Sequence, residues 1–579
     1  MINLLQLSKL IIFTIFFLVF SFNTTYSEEA ADIWKKKENK ENQNNQIIEE
    51  EVGLESPIIS SDENSEQKTI SEVELFDQEQ DIIGLFDPEE NNFHLNMWET
   101  SDGNDIKKIF KRINKLKLSE FSEDLLFRVL FTNSYSPKNN LNSSEFLKLK
   151  VNWLIKNGRV EDLESLLLTN SKVGKEEKAI QFLINERLSN SEIKSACEKV
   201  NAIDKNLKND YLEKFKIYCL INSERKEEAQ LLFELLKERG FEDNFFEDKI
   251  NYLLGINEKT SQKIIDNNLF NFYLSQITTN NFDYQPDEKT DKYIWRYLSS
   301  SNLIEIKDLE NEEIILTYER AAAENSIQSD KIFNIYKQIA FNVNQLINAL
   351  DVYKNLPNYK ARALIYQSML LSDNIEKKLY LVFLLKDLFE KDKLINVYSK
   401  ELTKILRNID PKKIPENYEE AVKLNIKGNL QDNKKIKFNN DIIHRSKIIK
   451  HFLKDDNSNS KVEKDFKSVY KKIKRNKKYF ISIMDIIVLE SLLEDGVNLP
   501  KDLTFDEISA ELTIPQNLQN LVNENQLGLV MLKIIEIIGE DQISDLDPET
   551  LYFLSKILNQ LKLKKIRNKM LSKVLPVRA

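Results

Sequence analysis

The 579-residue sequence predicts an all-α fold, an irregular α-solenoid of antiparallel helix pairs preceded by a disordered acidic arm. Three observations predict it. From Asp105 onward apolar residues recur with a period near 3.6, with almost none of the alternation that strands require. Short helical runs are separated by polar turns built from Asn, Ser and Gly. Eleven prolines and eleven glycines in the whole chain leave the helices largely uninterrupted.

Taken in order, residues 1–27 read as a secretory signal. Lys9 supplies a positive start, Leu10 to Phe20 an apolar run of signal length, and Thr25-Tyr26-Ser27 a cleavage site after Ser27. A membrane span needs roughly 20 apolar residues, more than Leu10 to Phe22 offers. The expected location is therefore the periplasm, with an uncleaved inner-membrane anchor as the alternative. Residues 28–100 carry 21 acidic residues and 5 lysines, a local net charge of −16, so the part from Ser101 onward carries +5. Such a segment has too few apolar residues to offset the entropy of ordering it. Short apolar islands interrupt it, among them Leu75-Phe76 and Leu85-Phe86, as docking points. Residues 82–98 adjoin the body and are expected to dock on it.

The body divides into N-terminal repeats over 101–270, central repeats over 289–495 and a C-terminal bundle over 517–575. Ile106, Ile109, Phe110 and Ile113 form one stripe. Ser119 precedes the next helix, and Asn142 or Ser143 caps Glu145 to Lys156. Asn157-Gly158 ends that helix and Val160 to Leu168 returns. Tyr211 to Leu220 and Arg225 to Arg239 repeat this grammar, and further pairs fall at 175–200, 243–273, 289–322, 328–356, 358–404, 415–452 and 461–495. Stacked pairs of this tetratricopeptide-like kind bury one another's apolar faces. The polar stretch 271–288 and the Gly496–Pro515 region read as boundaries, and Leu527, Val530, Met531, Ile534 and Ile537 make a last stripe.

No chemistry announces itself. There is no glycine-rich phosphate loop, GxSxG turn, HExxH helix or CxxC pair. His444 and His451, seven apart, offer with Asp441 or Asp455 too few local ligands for a metal cage, and an exposed basic helix face is the expectation. No catalytic, metal or cofactor-binding residue is assigned. Cys197 and Cys219 lie in facing helices, where they either close one disulfide or remain two buried thiols. The densest basic run contains Lys467, Lys471, Lys472, Lys474, Arg475, Lys477 and Lys478. In an exported chain it points to an anionic membrane or wall polymer rather than to nucleic acid, with a solvated helix face as the plain reading.

Tyr318-Glu319-Arg320-Ala321-Ala322-Ala323-Glu324, Leu346–Leu350 and ARALIYQSML at 361–370 resemble a group of uncharacterised exported helical-repeat proteins of alphaproteobacteria. YCLINSERKEEAQLLFELLKERG at 218–240 is similar to their cysteine-containing helix pair. The closing stretch from GLVMLKIIEIIG to IRNKML resembles their C-terminal bundle. The resemblance implies an envelope location and a helical-repeat fold, and carries no catalytic residues. The function expected is a periplasmic scaffold or adaptor that holds an envelope protein or peptide in a helical groove. The alternative is an accessory or catalytic factor in cell-wall (peptidoglycan) metabolism, and an enzyme is the less favoured of the two.

Overall fold

Helix boundaries follow the capping residues. Ser119 Oγ accepts the Ser122 N–H at the start of the helix Glu120–Phe131, and Asn142 Oδ1 accepts the Glu145 N–H at the start of Ser143–Lys156. Gly158, at φ +63°, closes that helix in the left-handed region, and Val160–Thr169 runs back. The computed structural model describes residues 82–203, 208–304, 306, 308–426, 436–453 and 458–576. The signal segment 1–27, arm residues 28–81 with Leu75 and Phe76, and Asp455 lie outside the described residues.

Among the described residues the fold is all-α. The strand-like pairing seen is of isolated bridges, such as Phe86 with Thr132 and Asp102 with Asn139. Consecutive helices pack as antiparallel pairs, including Asp210–Asn222 with Lys226–Glu238 and Asn358–Leu370 with Ile375–Lys391. Gln78–Ala579 is one compact unit.

The buried cores do not follow the divisions 101–270, 289–495 and 517–575. One core runs from Ile180 to Leu298, and a second from Trp295 to Val422. A third joins residues between Ile83 and Leu183 to residues between Ile443 and Leu575, so both ends of the described chain share one apolar interior. The helix Leu527–Ile538 is the reason. The single stripe read from its sequence understates it, because Leu529, Val530, Met531, Leu532, Ile534 and Ile535 are all buried. Apart from the half-buried Lys533 and Glu536 its surface is apolar, and an apolar surface that wide must be covered from more than one side. Gly103–Ile113 and Glu120–Phe131 cover it from the far end of the sequence. Each large side chain buried there contributes about 1.5–3 kcal/mol.

The seam is also hydrogen-bonded. Gly528 N–H donates to Met97 O at 2.8 Å, and Ser119 N–H to Gly539 O at 3.0 Å. A β-carbon at 528 would overlap the Trp98 ring, so the close approach requires glycine there. Residues 82–98 dock on the body as expected from their position. Ile83, Met97 and Trp98 are buried, and the Leu85 and Phe86 N–H groups both donate to Phe131 O.

Two stretches differ from their sequence reading. Polar 271–288 begins inside a helix, Leu269–Thr278, with Phe270, Phe272 and Leu274 fully buried. Its Ser275 and Thr278 hydroxyls donate back to the Asn271 and Leu274 carbonyls, so polar residues ride the helix instead of breaking it. The proposed pair over 415–452 is a helix at Glu416–Ile426, but residues 443–449 make 3-10 turns before the short helix Lys450–Leu453.

Candidate functional site

The basic run lies on the helix Asn459–Arg475 and the turn after it. Val462, Phe466, Val469 and Ile473, at spacings of four, three and four, are buried, which turns the remaining positions outward. Lys467, Lys471, Lys472, Lys474, Arg475, Lys477 and Lys478 are all exposed. Lys474 pairs with Asp502, and Lys472 lies 3.8 Å from Asp441. Phe480 stands beside them with 76 % of its surface in solvent. The face combines cations with one exposed aromatic ring.

Of the two apolar islands, Leu85 and Phe86 are spent within the chain. Both pack against the shared core, and the Phe86 ring meets Phe127 edge-on at 5.1 Å.

Cys197 and Cys219 are bonded to one another, with their Cα atoms 5.5 Å apart. The bond ties Ile193–Lys199 to Asp210–Asn222. Beside it lies an open groove of about 830 Å³ whose apolar wall is Leu220, Leu231, Leu232 and Leu235, with Lys194 and Lys216 on its margin. Leu231 is 60 % and Leu235 46 % exposed, adjacent on the helix Lys226–Glu238. The two side chains leave an apolar strip uncovered on the groove wall.

The histidines do not form an exposed basic face. The 3-10 turns at 443–449 break the helix that their spacing assumed, and each histidine meets a buried aspartate. His444 Nδ1 lies 2.7 Å from Asp485, and His451 Nε2 lies 2.7 Å from Asp495. Among the described residues no cluster of three His, Cys, Asp or Glu side chains could hold a metal.

Ser482, His444 and Asp485 have the residue types of a hydrolytic triad but the wrong arrangement. Both Ser482 Oγ, at 3.4 Å, and Asp485 Oδ1 sit on the same imidazole nitrogen. A nucleophile requires the ring nitrogen opposite the aspartate. Ser482 instead caps the helix Ile483–Glu494, accepting the Asp485 N–H and donating to Asp485 Oδ2. Burial pushes the Asp485 carboxyl up, and the bonds from His444 and the Ser482 N–H outweigh it, holding the group below its ordinary value.

Two buried charge clusters escaped sequence reading. Arg362, on Asn358–Leu370, is enclosed by Glu319, Tyr336 and Asp392, its Nε 3.2 Å from Glu319 and 3.1 Å from the Tyr336 hydroxyl. Burial holds Glu319 above the usual carboxylate range, against the pull of Arg362. A general acid needs such a carboxyl in an open cleft. Glu319 is sealed, so the cluster joins helices. Its sequence signal was a charge inside each small-residue stretch, Glu319 in YERAAA and Arg362 in ARALIY. The second cluster gathers His451, Asp495 and Arg567, with Arg567 Nη2 2.6 Å from Asp495. Burial raises the Asp495 carboxyl, but the bonds from His451 and Arg567 leave it below its ordinary value. Nothing local in the sequence marks these partners, which lie 44 and 72 positions from Asp495.

Lys150 is a third such group. Fully buried, it donates from Nζ to Ile83 O at 2.8 Å and lies over the Phe146 ring; burial pushes its ammonium down to about 7.

No protein-family model, curated protein or solved structure matches this chain.

Proposed function

We propose that this chain is an exported binding scaffold, a periplasmic α-solenoid that holds an envelope protein or peptide in the groove beside the Cys197–Cys219 bond. The observation that carries the reading is the pair of uncovered leucines, 231 and 235, on one wall of that open groove. Helical stacks suit this use because an apolar partner helix or extended peptide buries such leucines at neighbouring turns. The disulfide accords with an oxidising compartment, and the signal-like composition of residues 1–27 points to the same location. Among the described residues no helix is long and apolar enough to cross a membrane. The Lys467–Lys478 face with Phe480 would give peripheral contact with an anionic membrane or wall polymer.

A photo-crosslinking amino acid at Leu231 or Leu235, activated in intact cells, tests the reading. A defined protein adduct at these positions, lost in Leu231→Glu/Leu235→Glu, is expected. Labelling of wall glycan alone would overturn it in favour of the cell-wall reading.

A further inference from the structure

Between Asn459 and Phe480 nine lysine and arginine side chains stand against two acidic ones, a local net charge of +7 in a chain whose total is −10. At about 100° per residue, Lys464, Lys467, Lys471 and Arg475 fall on one ridge, opposite the buried stripe of Val462, Phe466, Val469 and Ile473. The ridge runs for about 16 Å along the helix. All four cations are exposed, and among the described residues no acidic side chain lies in ion-pair contact with them or with Lys477 and Lys478. The neighbouring acids are engaged elsewhere. Asp465 holds Lys447 at 2.7 Å, Asp502 holds Lys474, and the Glu463 carboxylate accepts from the Asn498 N–H and side-chain amide, with Lys467 adding a longer-range attraction.

The fold itself has little use for this ridge. Cations favour the last turn of a helix, where the dipole is negative, which accounts for Lys472, Lys474 and Arg475 but not for Lys464, Lys467 and Lys471. Like charges four apart, Lys467 with Lys471 and Lys471 with Arg475, oppose helix formation. Phe480 follows directly, 76 % exposed, on a turn that is firmly tied. The Asn476 side chain accepts the Lys478 N–H at 3.1 Å, Asn476 O accepts the Tyr479 N–H at 2.9 Å, and the Tyr479 hydroxyl donates to Asp485 Oδ2 at 2.8 Å. On the other side Ile481 packs against the shared core. Both neighbours are anchored while the ring between them is held in water, a hydration cost that an apolar contact recovers.

We propose that this face binds the surface of an anionic lipid bilayer, with the helix Asn459–Arg475 lying along the headgroups and the Phe480 ring entering the acyl boundary. This rests on the peripheral contact proposed above and narrows its two partners to one. A polyanion is met by the cations alone and gives the exposed ring nothing to enter. A bilayer takes both, the cations at the phosphates and the ring beneath them. The total charge of −10 does not prevent the contact, because salt screens charges beyond about 10 Å of the surface. Ridge and turn are already ordered in the free fold, so binding has little left to order. The contact is independent of the groove beside Cys197–Cys219, and either can fail alone.

Co-sedimentation of the full chain with vesicles of phosphatidylcholine, alone or with about 30 % phosphatidylglycerol, at about 0.05 and 0.3 M salt tests it. Affinity rises with phosphatidylglycerol and falls with salt. Lys467→Gln/Lys471→Gln/Arg475→Gln lowers it about a hundredfold, at about fivefold per cation, and leaves the thermal melt unchanged. The matched change Lys111→Gln/Lys115→Gln/Lys117→Gln, at exposed lysines elsewhere, leaves affinity within about twofold. Phe480→Ser lowers affinity about tenfold without affecting the melt. The proposal is overturned if anionic vesicles are bound no better than neutral ones, if the two triple variants lose affinity equally, or if Phe480→Ser binds as the unaltered chain does. Binding to soluble polyphosphate as tight as to anionic vesicles, and indifferent to Phe480→Ser, overturns it in favour of a polyanion. Vesicle binding without a protein adduct at Leu231 or Leu235 would sink the scaffold reading alone.

Discussion

Lys150→Met separates the cost of a buried lysine from the contact it makes. Methionine keeps the length and apolar stem of the side chain and removes the ammonium. In the fold Lys150 is fully buried and titrates at about 7, against 10.5 when exposed in the unfolded chain. A lowered lysine pKa penalises the folded state wherever only the unfolded chain binds the proton. The penalty grows as pH falls from 10.5 to 7 and stays level below 7. At pH 6 it approaches about 5 kcal/mol, and at pH 10 it is under about 1 kcal/mol. Against it stands the bond to Ile83 O, whose loss leaves a buried carbonyl unmet at a cost of about 1–3 kcal/mol at any pH. The methionine variant is thus more stable than the parent by about 2–4 kcal/mol at pH 6 and less stable by up to about 2 kcal/mol at pH 10. Urea unfolding at pH 6, 8 and 10 in a Trp34→Phe, Trp295→Phe background leaves Trp98 and Trp153, both in the shared core, as reporters. The stability difference between variant and parent is the quantity to follow, because other titrating groups cancel in it. A difference that stays constant from pH 7 to 10, or destabilisation at pH 6, refutes the reasoning.

Three further perturbations probe the other devices of the fold. Arg362→Leu strands the Glu319 carboxylate and destabilises the central core by about 3–5 kcal/mol, while Arg362→Leu with Glu319→Leu recovers most of that loss, as a double-mutant denaturation cycle will report. Gly528→Ala drives a methyl group into Trp98 and weakens the seam by about 1–3 kcal/mol; a changed Trp98 emission and faster proteolysis near residue 100 are expected, and an unchanged melt would contradict the close packing. Reducing Cys197–Cys219, or replacing both cysteines with serine, removes a cross-link of sequence separation 22 and lowers stability by about 3 kcal/mol, which melts with and without dithiothreitol measure.

The amino-acid sequence by itself determined the local order of this protein. The 3.6-residue stripe of Ile106, Ile109, Phe110 and Ile113, the caps Ser119 and Asn142 and the stop at Gly158 are decided by neighbours within one or two turns, so they were legible in the residues themselves. The outward face of Asn459–Arg475 was legible for the same reason. Only the tertiary structure decided which apolar faces meet. That Leu527–Ile538 lies against Gly103–Ile113, that Lys150 holds Ile83 O and that Asp495 gathers His451 and Arg567 depend on contacts across tens to hundreds of residues. An apolar stripe states that it must be covered and leaves open by what, because hydrophobic burial has no direction.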